Sequence, residues 1–266
     1  MIKKNINLIT LFFAALFSLN NLFGQKQILF SSQVIDEIFS KNHLAFTAKG
    51  VLFEKGKIIG ENIPFSPNAN SRLGFEAGVD YLINKNKNTS LNTGFHIGFA
   101  PRNFTFIAPK NYVQPFYNDD YVMNGGLSNI SPLFYASIPL TFEKRIFRKN
   151  NFFYYGGGVN LKYALMFSED EEGYFLDARR TRIAVMTENW KTNFNVFVQA
   201  NASIGYGFIL KNKNLFKVGL CSNIALSNVS TANYTFTPPT GTNQDGLYVT
   251  RAGFIGLSFS YVLTNF

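Results

Sequence analysis

The residues of this 266-residue chain that could perform acid–base chemistry are few and scattered. They comprise 16 Asp and Glu, 25 Lys and Arg, two His and one Cys. His96 is the histidine that falls inside a clearly patterned segment, and Glu76, Asp80 and Ser137 are the residues best placed to approach it. A histidine between a carboxylate and a hydroxyl is the arrangement that activates a serine nucleophile. No sequence motif links these four, so a hydrogen-bonded interior histidine is the simpler reading. No catalytic, cofactor-binding or metal-binding residue is assigned.

The other candidates reduce in the same way. Arg72, Glu76, Asp80, Lys162 and Lys217, with Arg251, could line a pore or form a set of internal ion pairs. The second reading is preferred, because buried charges require partners. The acidic run at 169–172 (EDEE) lacks the spacing and the glycine of a calcium loop. The glycines at 156–158 are followed by no Lys-Ser/Thr pair and open no helix, so they are not a phosphate loop. Asn-x-Thr triplets at Asn103 and Asn233 read as chance occurrences in an Asn-rich chain. Cys221 stands alone, which excludes an intramolecular disulfide framework and a multi-cysteine zinc site.

What must position the charged residues is a repeated period-two alternation. In 71–83 the odd positions Leu73, Phe75, Ala77, Val79, Tyr81 and Ile83 are apolar, while Arg72, Gly74, Glu76, Gly78 and Asp80 lie between them. Successive side chains of a strand point to opposite faces, so each such segment has one apolar and one polar face. The same pattern recurs in 91–99, 134–142, 153–167, 194–208, 216–226 and 255–263. An eighth strand is expected over 44–53, with Phe46, Ala48 and Leu52 opposite Thr47 and Lys49. The connections 84–90, 148–151 and 211–214 are short, polar and turn-like. The connections 56–70, 100–131, 168–191 and 228–246 are long. Short and long links alternate along the chain, as in an up-and-down membrane barrel.

Composition selects the lipid-facing version. Only 15% of residues are charged, against about 25% in a typical soluble domain. Aromatics reach 17%, with 30 Phe and 13 Tyr. The polar faces are rich in Gly, Ser and Asn, which suits a narrow interior better than a solvated surface. Aromatics at segment ends, among them Tyr81, Phe99, Phe142, Phe153, Phe167, Phe194 and Phe208, fit interfacial girdles. Residues 1–24 read as a secretory signal, with Lys3 and Lys4 ahead of an apolar stretch over 6–17. The barrel domain is then 25–266, and the net charge falls from +9 to +7 once those two lysines leave. Export makes nucleic acid an implausible partner for that charge. Residues 25–42 are left open between a periplasmic tail, a short helix and an extra strand.

The strand at 74–78 (GFEAG) and above all 134–140 (FYASIPL), followed by a short turn and Tyr154–Tyr155–Gly156–Gly157–Gly158–Val159, resemble the Bacteroidetes outer-membrane β-barrel family that includes PorT-like proteins. The Gly24–Gln25 junction adds to the likeness, which covers roughly 73–266. The resemblance implies a barrel in the outer membrane and, as one option, an accessory of a secretion machinery. Pro139 lies inside the characteristic strand, where its missing N–H predicts a local bulge. Tyr261 and Phe266 are expected to form the assembly signal. Strict alternation, however, places Phe266 on the inward face, which calls for either a second bulge near Asn265 or a signal that is read loosely.

The expectation is therefore an all-β, closed antiparallel up-and-down transmembrane barrel of about eight strands in the cell outer membrane. Its role is read as non-enzymatic, structural or binding, and carried by the long loops. Expected partners are outer-membrane lipid and lipopolysaccharide, the barrel-assembly machinery and an envelope protein. The alternatives are a PorT-like secretion accessory, a lipid-modifying enzyme, and a soluble lipocalin-like ligand-binding barrel.

Overall fold

The computed structural model describes residues 30–59, 68–69, 72–100, 104–108, 121–124, 133–165, 169–176, 182–192, 196–237 and 243–264. The expected signal at 1–24, the Phe266 terminus and the proposed bulge at Asn265 lie outside them. The chain begins with a short helix, α1 (Ser32–Phe39), and continues as strands. Eight strands close a barrel: β1 (His43–Phe53), β4 (Leu73–Asn86), β5 (Thr89–Ala100), β8 (Leu133–Arg148), β9 (Asn151–Ala164), β12 (Val196–Ile209), β13 (Leu215–Ala225) and β16 (Phe254–Leu263). Each pairs antiparallel with the next, and β16 pairs with β1 to complete the ring. All eight expected strands are present, with ends shifted by a few residues.

The three tight hairpins at 86–89, 148–151 and 209–215 and the entry to β1 lie at one end, here called the turn end. The long connections lie at the other, the loop end, and they are not structureless. Together they contain β2 (Lys57–Ile59), β3 (Asn68–Ala69), β6 (Phe104–Ala108), β7 (Tyr121–Asn124), β10 (Glu169–Leu176), β11 (Arg182–Thr192), β14 (Ser230–Thr237) and β15 (Gln244–Thr250). β10, β11, β14, β15 and β2 form a five-stranded sheet, and β3, β6 and β7 a three-stranded one. The acidic run 169–172 thus belongs to a strand rather than a loop.

Alternation is realised with the apolar face outward. Phe75, Val79, Phe95, Ile97, Phe134, Ile138, Phe142, Leu161 and Phe259 are among the large hydrophobics left exposed. Glu76, His96, Glu143, Arg145, Lys162, Gln199 and Lys217 are buried in the lumen. A water-soluble barrel has the reverse distribution.

One sequence expectation about strand irregularity fails. β8 pairs with β9 in unbroken register through Pro139, which stands opposite Asn160. On the β5 side, pairing stops at Thr93–Leu140 and resumes in the same register at His96–Ser137. Pro139 therefore produces no bulge. Its missing donor is absorbed by a short unpaired interval on one flank, and the register survives because the β9 ladder holds it. The barrel's register shift lies instead at Asn84–Asn86, beside the first tight turn.

The lumen is layered. At the loop end, Val51, Phe53, Leu133, Tyr135, Phe197 and Phe254 belong to one buried apolar cluster. At the turn end, Ala45, Leu82, Phe152, Ile209, Leu215 and Val262 form another with Ile35, Ile38 and Phe39 of α1. The described part of the 25–42 region, residues 30–42, thus supplies a plug built on the short helix. Ser31 caps the helix by accepting the Val34 amide at 3.4 Å. At the other end, the His43 ring nitrogen Nε2 meets the Ile38 carbonyl at 2.7 Å. An eight-residue helix is marginal in isolation, so burial of Ile35, Ile38 and Phe39 in the barrel mouth is what holds it.

Candidate functional site

Between the two apolar layers lies a polar middle layer. β4 turns Glu76 and Asp80 inward at positions four apart, β5 contributes His96, β1 Thr47 and Lys49, and β9 Lys162. Glu76, 0% exposed, is the hub. Its Oε1 accepts from Lys49 Nζ at 2.5 Å, and its Oε2 accepts from Lys162 Nζ at 3.0 Å and from Tyr135 Oη at 3.1 Å. His96 bridges two carboxylates, with Nδ1 at 3.1 Å from Glu76 and Nε2 at 2.9 Å from Asp80. Thr47 Oγ1 donates to Asp80 at 2.6 Å. The Lys162 ammonium also lies over the Tyr135 and Phe254 rings, at 4.0 and 4.8 Å.

A second cluster sits toward the turn end. Glu143 accepts from Arg145 Nε at 2.8 Å, from Asn92 at 3.3 Å and from Lys217 Nζ. Arg145 also donates to Asn84 at 2.9 Å and to Ser90 at 2.6 Å. Its guanidinium lies 4.8 Å above the Phe39 ring, so the polar layer grips the plug directly. Lys217 caps the Tyr154 ring at 4.4 Å. Tyr154 has room because Gly205 and Gly219 face its hydroxyl: a Cβ on them would approach it to 2.6 and 2.3 Å. Asn160, Asn201 and Thr141 add a neutral chain of hydrogen bonds at 2.8 and 3.1 Å.

The space left over is a cavity of about 90 Å³, lined by Lys49, Asp80, His96, Asn201, Lys217 and Ser260 among others. That volume holds a few waters. An apolar layer lies at each end of it, an arrangement that favours a plugged lumen over a channel.

Of the charges expected in the lumen, Glu76, Asp80, His96 and Lys162 converge in one cluster and Lys217 joins the other. Arg72 stands at the loop-end rim, where its carbonyl accepts the Phe53 amide at 2.9 Å. Arg251 is not a lumen residue: it is exposed in the β15–β16 connection and donates to Asn228 at 3.1 Å. Glu143 and Arg145 were missed because the alternation was followed only to Phe142. Extending it by three residues puts both on the inward face. Tyr261, expected in an assembly signal, accepts hydrogen bonds from Asn214 at 2.8 Å and Asn212 at 3.3 Å, tying the last strand to the β12–β13 turn. Cys221 is buried and unpaired, as expected.

His96 is not arranged to activate a nucleophile. Both its ring nitrogens are engaged by carboxylates, while the Ser137 Oγ, buried opposite it, has no hydrogen-bond partner among the described residues.

No protein-family model matches the chain, and no curated protein matches it. Among solved structures it is similar to the outer membrane protein OprG from Pseudomonas aeruginosa, at 12% identity and a TM-score of 0.37, covering 84% of this chain and 94% of that one. The barrel assignment rests on the strand pairing itself.

Proposed function

We propose that this protein is a non-enzymatic integral outer-membrane barrel whose closed lumen is a structural strut and whose loop-end sheets present a binding surface. The observation that carries this reading is the inverted barrel: an apolar belt outside, paired charges inside. From Leu73 to Ile83 the outward residues of β4 cover the length of a tilted membrane strand, about 9–11 residues. An exposed belt of this kind is costly in water, where monomers rarely show large apolar patches. The tight turns then face the periplasm and the two sheets face outward, against lipopolysaccharide.

The test is fractionation with the outer membrane together with heat-modifiable migration of the folded barrel on a gel. Recovery in the soluble periplasm would favour the lipocalin-like alternative. A second reading, a PorT-like accessory of a secretion machinery, is supported by the β8–β9 hairpin, in which the Ile138–Pro139–Leu140 strand turns tightly into the Gly-rich strand. Co-purification of envelope proteins from native membranes tests it.

A further inference from the structure

The three tight turns carry a charge pattern that the lumen does not explain. Lys85, Lys144, Arg148, Lys149, Lys211 and Lys213 are all exposed at the turn end. The turn sequences hold no acidic residue. The carboxylates that α1 brings there, Asp36 and Glu37, are matched to two other cations, Lys87 at 2.9 Å and Lys41 at 3.8 Å.

Two observations say what these cations face. The first is parity. Lys85 continues the outward series Tyr81, Ile83, and Lys144 and Arg148 lie in the outward series Phe142, Ile146. Phe142, Ile146, Tyr81 and Ile83 are exposed side chains of the apolar belt. The cations therefore border the belt on its own face, where a long stem runs along apolar surface and the ammonium reaches the headgroup level. Lys144 also stands opposite Tyr155, an exposed aromatic suited to the same interface.

The second observation is backbone geometry. Lys149 and Lys213 have φ of 57° and 65°. This left-handed conformation is the one glycine or asparagine fills at least cost. In the β12–β13 hairpin, the Lys213 amide donates to the Leu210 carbonyl at 2.9 Å, and Lys213 occupies the position of a three-residue loop that usually holds glycine. The chain keeps lysine at two sites where the backbone favours something else. An anion bound at these two sites would offset that cost.

We infer that the turn-end rim is a binding surface for the headgroups of anionic phospholipids in the adjoining leaflet. This rests on the membrane-barrel reading. The stated chemistry is a phosphodiester held by flexible ammonium groups, within reach of the belt that holds the same lipid's acyl chains.

The test uses the full chain reconstituted in vesicles of phosphatidylcholine mixed with phosphatidylglycerol, with spin-labelled versions of each lipid reporting which one contacts the barrel. A preference for labelled phosphatidylglycerol that collapses in high salt is expected. Each lysine removed lowers it by roughly two- to fivefold at low salt. The informative variants are Lys213→Gly and Lys149→Asn, because they move two readouts in opposite directions. Both raise the urea midpoint in zwitterionic detergent, by relieving the turn, and both weaken the phosphatidylglycerol preference. A purely structural role for these lysines predicts no change in lipid preference. Equal contact with both lipids in a correctly inserted barrel overturns the inference, as does unchanged preference in the variants. So does binding of soluble polyglutamate by the rim with no lipid preference, which would assign it to an acidic protein. Failure to insert at all, with no heat-modifiable band, instead overturns the membrane reading.

Discussion

At the scale of single residues, Glu76 carries the most. It is fully buried and neutralises Lys49 and Lys162 while orienting His96 and Tyr135. Replacing it by Gln keeps the shape but leaves two buried ammonium groups without their counter-charge. Breaking a buried pair from one side costs about 3–5 kcal/mol. Glu76→Gln is therefore expected to lower the urea midpoint of the folded barrel strongly. A change within about 0.5 kcal/mol would mean that water in the cavity solvates the lysines. Gly219→Ala tests the packing side of the same layer. Its new methyl would meet the Tyr154 hydroxyl at 2.3 Å and the Ile204 carbonyl at 2.6 Å. Overpacking of this kind costs typically 1–3 kcal/mol. The double variant with Tyr154→Phe recovers part of the loss if the hydroxyl is the obstacle, and the same urea titration reads it.

At the scale of elements, the strands were legible because a membrane barrel writes its two environments into alternate residues. Phe75, Val79 and Tyr81 against Glu76 and Asp80 give strand, length and facing together. Pro139 was misread because its effect depends on both neighbours, and only the pairing reveals that β9 keeps the register while β5 yields. Glu143 and Arg145 sit among Lys144 and Arg148, so a local count of charges resembles a turn, although parity points inward. α1 was one of three open readings of its segment, for a different reason. Its apolar residues Ile35, Ile38 and Phe39 have no meaning until the barrel mouth that receives them is known. The plug yields a prediction of its own. Phe39 touches Phe147 and Phe152 edge-on, at 5.0 and 5.5 Å, under the Arg145 guanidinium. Phe39→Ala removes that anchor, and burial of a phenyl ring contributes about 3–5 kcal/mol to such contacts. The expected outcome is a barrel that remains heat-modifiable while a protease added from the turn end cuts within 30–42. Protection equal to the parent's would show that Ile35 and Ile38 suffice to hold the helix.

At the scale of the whole molecule, the two apolar layers and the ion-paired middle make three separate seals in series, so the lumen should be closed to solutes from both sides. The chain carries its own reporter of this. Cys221 is its single cysteine and lies on the wall of the central cavity, within the loop-end apolar layer that also holds Phe254. A charged, membrane-impermeant maleimide must penetrate that layer, or cross the turn-end layer and the ion-paired middle, to reach it. The folded barrel is expected to resist labelling, shown by the absence of a mass shift, and to label fully once unfolded in urea. Deleting α1 opens only the turn-end layer. Glu143, Arg145 and Lys217 still bridge that mouth, with Tyr154 packed behind them. Labelling should then be slow rather than immediate, and a planar bilayer should show no stable conductance. Rapid labelling of the intact protein, or steady channel current, would mean that the charges at the centre line a path instead of closing one.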